Sequence, residues 1–330
     1  MVPLVLALMS AVVPIASPQK APAAPTSAPI ASATRAFDLP AMTGLVEGIA
    51  YRPKTDAYYF GDVHRRCVWL RARDGTVSRF SAPDDRLLGI FRVDVDEARG
   101  ALWAAMGALP QMDGFTDARK GAGGIAELDL ATGKVRRVVL APSDDAQHLL
   151  GDLVLAADGT IYATDTTAPV IWTLAPGSTA LEPLVRDQFR SLQGITPSAD
   201  GRTLFVTDYP VGVLAIDLAT KAVRTLTAPA GTNVRGCDTL LRAPDGALLA
   251  IQNGTKTQRV LRLTLDAGAT SIARVDVLAE DPAMLDATLG TLAGGAFVFI
   301  ADGGCNRFEP GKADASPRSV PVLRIALGDR

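Results

Sequence analysis

Residues 193–220 read QGITPSADGRTLFVTDYPVGVLAIDLAT and are followed by KAVRTLTA. Four short apolar runs lie in this stretch: Gly194 to Pro197, Thr203 to Thr207, Val211 to Leu218 and Val223 to Leu226. The breaks carry turn chemistry, with Asp200-Gly201 after the first run, Asp208-Tyr209-Pro210 after the second and Ala219-Thr220-Lys221 after the third. The pattern predicts one antiparallel four-stranded meander. Such a sheet has two apolar faces and cannot bury both alone, so copies of it must lie on either side.

The copies are present. A turn glycine eight positions after a strand start recurs in GDLVLAADG (151–159), QGITPSADG (193–201) and DTLLRAPDG (238–246), and more loosely in DATLGTLAG (286–294). Two further units open at Glu47, in EGIAYRPKTDAYYFGD, and near Phe91, in FRVDVDEARGALWAAM. Six starts at 47, about 91, 151, 193, 238 and 286 lie at roughly the 40 to 50 residue period of propeller blades, with a longer second interval. We therefore expect an all-β six-bladed β-propeller with four-stranded antiparallel blades, a fold whose radial packing leaves only short protected edges. The sixth unit supplies strands at Ala287 to Leu292, Ala296 to Ala301 and Val320 to Leu327 and then runs out of chain. The unassigned run TRAFDL, residues 34–39, is expected to add the missing strand and close the ring.

Ahead of that run, Val2 to Ile15 is short and apolar, and a Pro/Ala/Ser-rich segment continues to Thr34. Residues 1–34 read as a secretory signal peptide and linker, although no Lys or Arg precedes the apolar run and Pro3 and Pro14 interrupt it. A short membrane anchor or a misassigned start is the alternative. The propeller is expected over residues 35–330, in a protein exported to the periplasm or beyond the cell.

A formal net charge of -2, from 33 Lys plus Arg against 35 Asp plus Glu, gives no electrostatic case for nucleic acid, nor for a membrane surface in the mature form. Cys67, Cys237 and Cys305 cannot all pair within one chain. Cys237 and Cys305 are expected on one face, where a disulfide competes with the reading of three unpaired small apolar side chains.

In a four-stranded meander the start of strand one and the end of strand two share an edge, and around a closed ring those edges form one mouth. Strand-one starts are Glu47, Phe91 or Arg92, Gly151, Gln193, Asp238 and Asp286. Strand-two ends are Asp62, Met106, Asp165, Asp208, Asn253 and Asp302. An Asp ending a strand commonly caps backbone N–H groups of the next turn, which accounts for the second set. Turn geometry does not require Glu, Gln and Asp in the first set, nearest the axis. Mixed carboxylate and amide oxygens describe a site for a hard cation.

The blade openings EGIAYRPKTDAYYFGD, QGITPSADGRTLFVTD and DTLLRAPDGALLAIQNG resemble those of the SMP-30/gluconolactonase/LRE-like family, six-bladed propellers that are typically divalent-metal-dependent lactonases. The resemblance covers roughly residues 35–330. It implies a small-molecule lactone or related ester as substrate and a divalent cation, calcium before magnesium, manganese or zinc. The metal ligands fall on Glu47, Gln193 and Asp238, and Asp238 is also the implied general base. Gln193 stands where the family has asparagine, Gly151 replaces another asparagine, and Leu149 stands where sugar-lactone members often carry a substrate-contacting arginine.

Asp152 and Asp286 are expected to help at the altered site, and His64 and His148, both near the mouth, are candidate substrate contacts or proton carriers as well as ordinary loop residues. The insertion GALPQMDGFTDARKGAGG, residues 107–124, is expected to hang over the mouth, with GAGG as flexible loop. There is no GxSxG elbow, HExxH or GxxxxGK[ST] motif. The competing class is a non-catalytic propeller that binds a small molecule, a glycan or a protein at its mouth.

Overall fold

The turn at Asp200-Gly201 shows how the repeat folds: Gly201 has φ of 67°, a left-handed conformation that glycine adopts without steric cost. It joins β14 (Leu192–Pro197) to β15 (Thr203–Asp208), and β16 (Gly212–Asp217) and β17 (Val223–Thr225) complete an antiparallel sheet in the order β14-β15-β16-β17. These strands match the four expected runs to within two residues at each end.

The computed structural model describes residues 29–41, 43–144, 146–307 and 318–328; of the expected signal peptide and linker, residues 1–28 lie outside them. Within this range the chain forms six four-stranded sheets. Blade one is β2 (Val46–Arg52), β3 (Ala57–Asp62), β4 (Cys67–Arg71) and β5 (Val77–Arg79). Blade two is β6 (Gly89–Asp96), β7 (Ala101–Gly107), β8 (Gly123–Asp129) and β9 (Val135–Leu140). Blade three is β10 (Leu150–Leu155), β11 (Ile161–Asp165), β12 (Val170–Leu174) and β13 (Glu182–Arg186). Blade four is the sheet above, and blade five is β18 (Cys237–Arg242), β19 (Leu248–Gln252), β20 (Arg259–Leu265) and β21 (Ile272–Glu280).

Blade six contains β22 (Gly290–Ala293), β23 (Ala296–Ile300) and β24 (Val320–Ala326), and its fourth strand is β1 (Thr34–Leu39), paired antiparallel with β24 from Thr34↔Arg324 to Leu39↔Val320. The ring is closed as expected. Just ahead of β1, Ile30 N–H and Ala31 N–H donate to the Val277 and Leu278 carbonyls of β21 at 3.0 and 2.9 Å. This strap ties blade five to the strand that closes blade six.

The core is a set of seams between blades. Leu204 and Val206 of β15 pack toward Ile171 of blade three, whereas Phe205 between them packs toward Leu240, Ala250 and Leu261 of blade five. The alternation along one strand therefore serves two neighbours. Leu39, Phe60, Val298 and Val322 fill the closing seam between blades six and one. Among the described residues no helix is long and apolar enough to cross a membrane. No disulfide joins the three cysteines; Cys67 and Cys237 are buried side chains within the seams.

Candidate functional site

Five blades interrupt the pairing of their first two strands at the same place. The register shifts between Val46 and Gly48, Ile90 and Val93, Leu150 and Asp152, Leu192 and Ile195, and Cys237 and Leu240. The residues inside these bulges include Glu47, Phe91, Gly151, Gln193 and Asp238, which are the expected axial set. A β-bulge re-aims a side chain that regular pleating would hold in the sheet face. In blade six Asp286 departs from the pattern: it precedes β22 by four residues and forms an isolated parallel bridge with Asp302.

Glu47, Asp238 and Asp286 sense one another although they come from blades one, five and six. The Glu47 carboxyl is held well above the usual range by burial first, then by the charges of Asp238 and Asp286, and all these influences push the same way. Asp238 is pushed up to about 7 by burial and then by Asp152, with Asp286 adding to the effect. Its one opposing influence is a hydrogen bond: Asn253 Nδ2 donates to Asp238 Oδ2 at 3.0 Å. Asn253 is itself oriented, since Tyr209 Oη donates to its Oδ1 at 2.9 Å and its Nδ2 also reaches the Ala287 carbonyl at 2.9 Å. Blade six steadies Glu47 through its backbone, where Thr288 Oγ1 and Leu289 N–H donate to the Glu47 carbonyl at 2.9 and 3.2 Å.

Gln193 sits in the bulge of blade four. Its Nε2 donates to Ser191 Oγ at 3.2 Å, and its Oε1 has no hydrogen-bond donor among the described residues. Two carboxylates whose repulsion no cationic side chain among the described residues offsets, with an unengaged amide oxygen, match a hard divalent cation in donor chemistry. Among the described residues no group of three His, Cys, Asp or Glu side chains is placed to hold a metal ion. Gly151 adds no ligand: a Cβ there would stand 2.6 Å from Thr166 Oγ1, a buried hydroxyl without a hydrogen-bond partner among the described residues. Leu149 is buried and bridges its backbone to Gly107.

Asp152 does not reach the site as a free carboxylate. It is buried, accepts from Leu153 N–H at 2.8 Å and Ile195 N–H at 3.2 Å, and lies 3.5 Å from Arg92 Nε. Arg92 Nη1 donates to the Gly290 carbonyl at 3.0 Å. Blade two thus meets blade three and blade six, and since blade one separates blades two and six, the contact spans the region next to the axis. Gly48 of blade one makes this packing possible, because any Cβ there would collide with the Phe91 carbonyl. Arg92 was legible as a strand-one start, and that position did not reveal its partners.

Both histidines, expected as substrate contacts, proton carriers or ordinary loop residues, have partners within the chain. His148 is buried, with Nδ1 2.7 Å from Asp165 Oδ2, Nε2 3.1 Å from Asp144 Oδ1, and its ring edge-on to Trp172. His64 Nδ1 lies 2.6 Å from the Gln111 carbonyl and its Nε2 3.3 Å from Asp113 Oδ1, while Asp113 N–H donates back to the His64 carbonyl at 2.7 Å. His64 is therefore a latch for the insertion of blade two. The insertion is docked, with Ala108 and Met112 buried, and Gly123 and Gly124 belong to β8 and not to a flexible loop.

The strand-two carboxylates act as caps, as expected. Asp62 accepts from Gly44 N–H, Arg65 N–H and Trp69 Nε1 at 2.8 to 2.9 Å, and Asp165 repeats the scheme with Leu149 N–H, Ala168 N–H and Trp172 Nε1. An Asp followed seven residues later by Trp was the available sequence signal.

No protein-family model matches the chain, and no curated protein matches it. Solved structures do. A gluconolactonase from Xanthomonas campestris aligns with a TM-score of 0.59 at 17% identity, covering 88% of each chain. Regucalcin from Agrobacterium tumefaciens, described as a calcium-binding protein, gives 0.61 at 14% identity over 88% of this chain and 93% of its own. The PQQ-bound aldose sugar dehydrogenase of Streptomyces coelicolor gives 0.60 at 13% identity over 92% and 99%. These likenesses establish the propeller fold, shared by a gluconolactonase, a calcium-binding protein and an oxidoreductase alike; at this identity the resemblance to the SMP-30/gluconolactonase/LRE-like family holds at the level of the fold.

Proposed function

We propose that the protein is an exported, divalent-metal-dependent hydrolase of lactones or related esters that works at the axial mouth. The observation that carries this reading is the Glu47 and Asp238 pair, two carboxylates from bulges of different blades, brought together with no cationic side chain among the described residues to neutralise them. Like charges are assembled this way at a cost to folding, and a bound cation removes that cost.

Glu47, Asp238 and Gln193 Oε1 are the residues that would hold the cation, calcium being the first candidate and magnesium, manganese and zinc the others. When bound, it supplies Lewis-acid polarisation of a carbonyl and a more acidic water. Asp238 accepts the proton of the attacking water as its oxygen bonds to the carbonyl carbon. The ring C–O bond then breaks, the departing alkoxide takes the proton that Asp238 had accepted, and a hydroxy acid leaves. Asn253, fixed by Tyr209, keeps the Asp238 carboxylate oriented for this role. Gluconolactonase and regucalcin among the similar structures support the reading at the level of the fold.

The specific test is Asp238→Asn, which keeps the shape and removes the base. Turnover of lactones is expected to disappear while the fold, read by circular dichroism, is unchanged; full retained activity removes Asp238 from the mechanism. A binding module is favoured over the enzyme by one feature, the side-chain-free position at Gly151, which leaves the rim less equipped than an amide-bearing one.

A further inference from the structure

The face opposite the mouth carries a cavity of about 360 Å³ at the closing seam, lined by Arg35, Phe37, Tyr51, Tyr58, Arg71 and Arg324. Its placement follows from the strand register. Tyr51 pairs with Tyr58 beside the turn that joins β2 to β3, at the far end of the sheet from Val46 and Asp62. Ala293, also in the lining, precedes the turn that joins β22 to β23 in blade six. The cavity therefore belongs to blades six and one and is remote in the fold from Glu47 and Asp238.

Its walls are aromatic and its rim is cationic. Tyr58 lies against Phe37, with ring centroids 5.2 Å apart, and against Tyr51 at 4.9 Å. The Arg71 guanidinium lies 4.1 Å from the Phe37 ring centroid, a cation–π contact that fixes the side chain without using its N–H donors. Among the described residues no carboxylate or carbonyl accepts from Arg71 or Arg324, and both are close enough to Tyr58 to bear on the ionisation of its phenol. Arg35, by contrast, is paired with Asp38 at 2.7 Å. The one acid in the lining, Asp56, already accepts from Tyr51 Oη at 2.9 Å and has Arg73 Nε at 3.6 Å.

Two guanidiniums with unused donors are suited to a carboxylate. Tyr51 and Tyr58 hydroxyls and ring faces suit a body that is at once hydroxylated and flat-sided, and the volume is that of a one-ring ligand. We propose that this cavity is a second binding site, independent of the mouth chemistry, for a small sugar acid whose carboxylate is held by Arg71 and Arg324 and whose ring lies against Tyr51 and Tyr58.

Isothermal titration of the whole protein with glucuronate, against glucose, benzoate and inorganic phosphate, tests the site. Glucuronate is expected to bind at least about tenfold more tightly than glucose, because glucose lacks the charge that two arginines recognise. Arg71→Met and the surface change Arg324→Gln are each expected to weaken glucuronate at least about tenfold, whereas Glu47→Gln leaves it unchanged. Arg324 is exposed on β24, so its substitution keeps the test valid should Arg71→Met disturb the seam. Several results overturn the proposal: no heat with glucuronate, equal binding of glucose, preference for benzoate or phosphate, or affinity indifferent to Arg324→Gln.

Discussion

Replacing Arg92 by methionine removes a charge from the axis while keeping most of the side chain's volume. The Arg92 and Asp152 side chains are only 8% and 4% exposed, so Asp152 is left as a buried carboxylate without its cation. Breaking a buried pair in this way costs about 3–5 kcal/mol. The loss depends on pH in a direction fixed by Asp152. Even with Arg92 present its folded pKa stands at about 6 against an ordinary 3.8, raised by burial, with Arg92 as the largest opposing influence.

A carboxyl raised on folding contributes stability that is complete below its ordinary pKa and is lost as pH rises through the folded value. From 3.8 to about 6 the change amounts to about 3 kcal/mol across that window. Without Arg92 the folded value rises further, as does that of neighbouring Asp94, which Arg92 also lowers. Urea unfolding of Arg92→Met should therefore show its full loss at pH 8 and no more than about 1 kcal/mol at pH 5, where Asp152 is protonated in both proteins. Adding Asp152→Asn should recover most of the pH 8 loss. An equal loss at both pH values, or no recovery in the double variant, refutes the pairing as the source of the effect.

Two further predictions concern the scaffold. Leu39 is fully buried at the end of β1, and Leu39→Ala should cost about 2–5 kcal/mol in urea and raise hydrogen exchange in β24 first, because β1 is what closes the ring. Asp62→Ala leaves three donors without an acceptor, and a loss of about 3 kcal/mol is expected in the same assay, with the Trp69 fluorescence altered in the folded state.

The fold was largely legible because it is repetitive. A turn glycine eight residues after each strand start is a local signal, and its recurrence at 151, 193 and 238 amounts to six blades once the looser copies are counted. Closure by residues 34–39 was legible by elimination, since blade six ends one strand short. The site was legible in part. Glu47, Gln193 and Asp238 were recognised as axial by position, but the bulges that aim them leave no mark in a single sequence, because a bulge is a relation between two strands.

Long-range partners were hidden for the same reason. Nothing near Asp152 in the chain announces Arg92, which lies in the preceding blade, or Ile195, which lies in the next. The position of His148 near the mouth was legible, but its two carboxylate partners, Asp144 and Asp165, which occupy both ring nitrogens, were not. Asp286 kept the eight-residue spacing yet fell outside β22, in an isolated bridge with Asp302.

The central claim is that the axial carboxylates exist to hold a cation that serves lactone hydrolysis. The direct measurement is hydrolysis of a panel of sugar and aliphatic lactones by the purified protein after chelation, with calcium, magnesium, manganese and zinc restored singly, for the native chain and for Glu47→Gln. The account predicts activity that is lost on chelation, returns with a specific cation and is absent in the variant. No hydrolysis with any cation, together with a melting temperature that added metal does not raise, contradicts it.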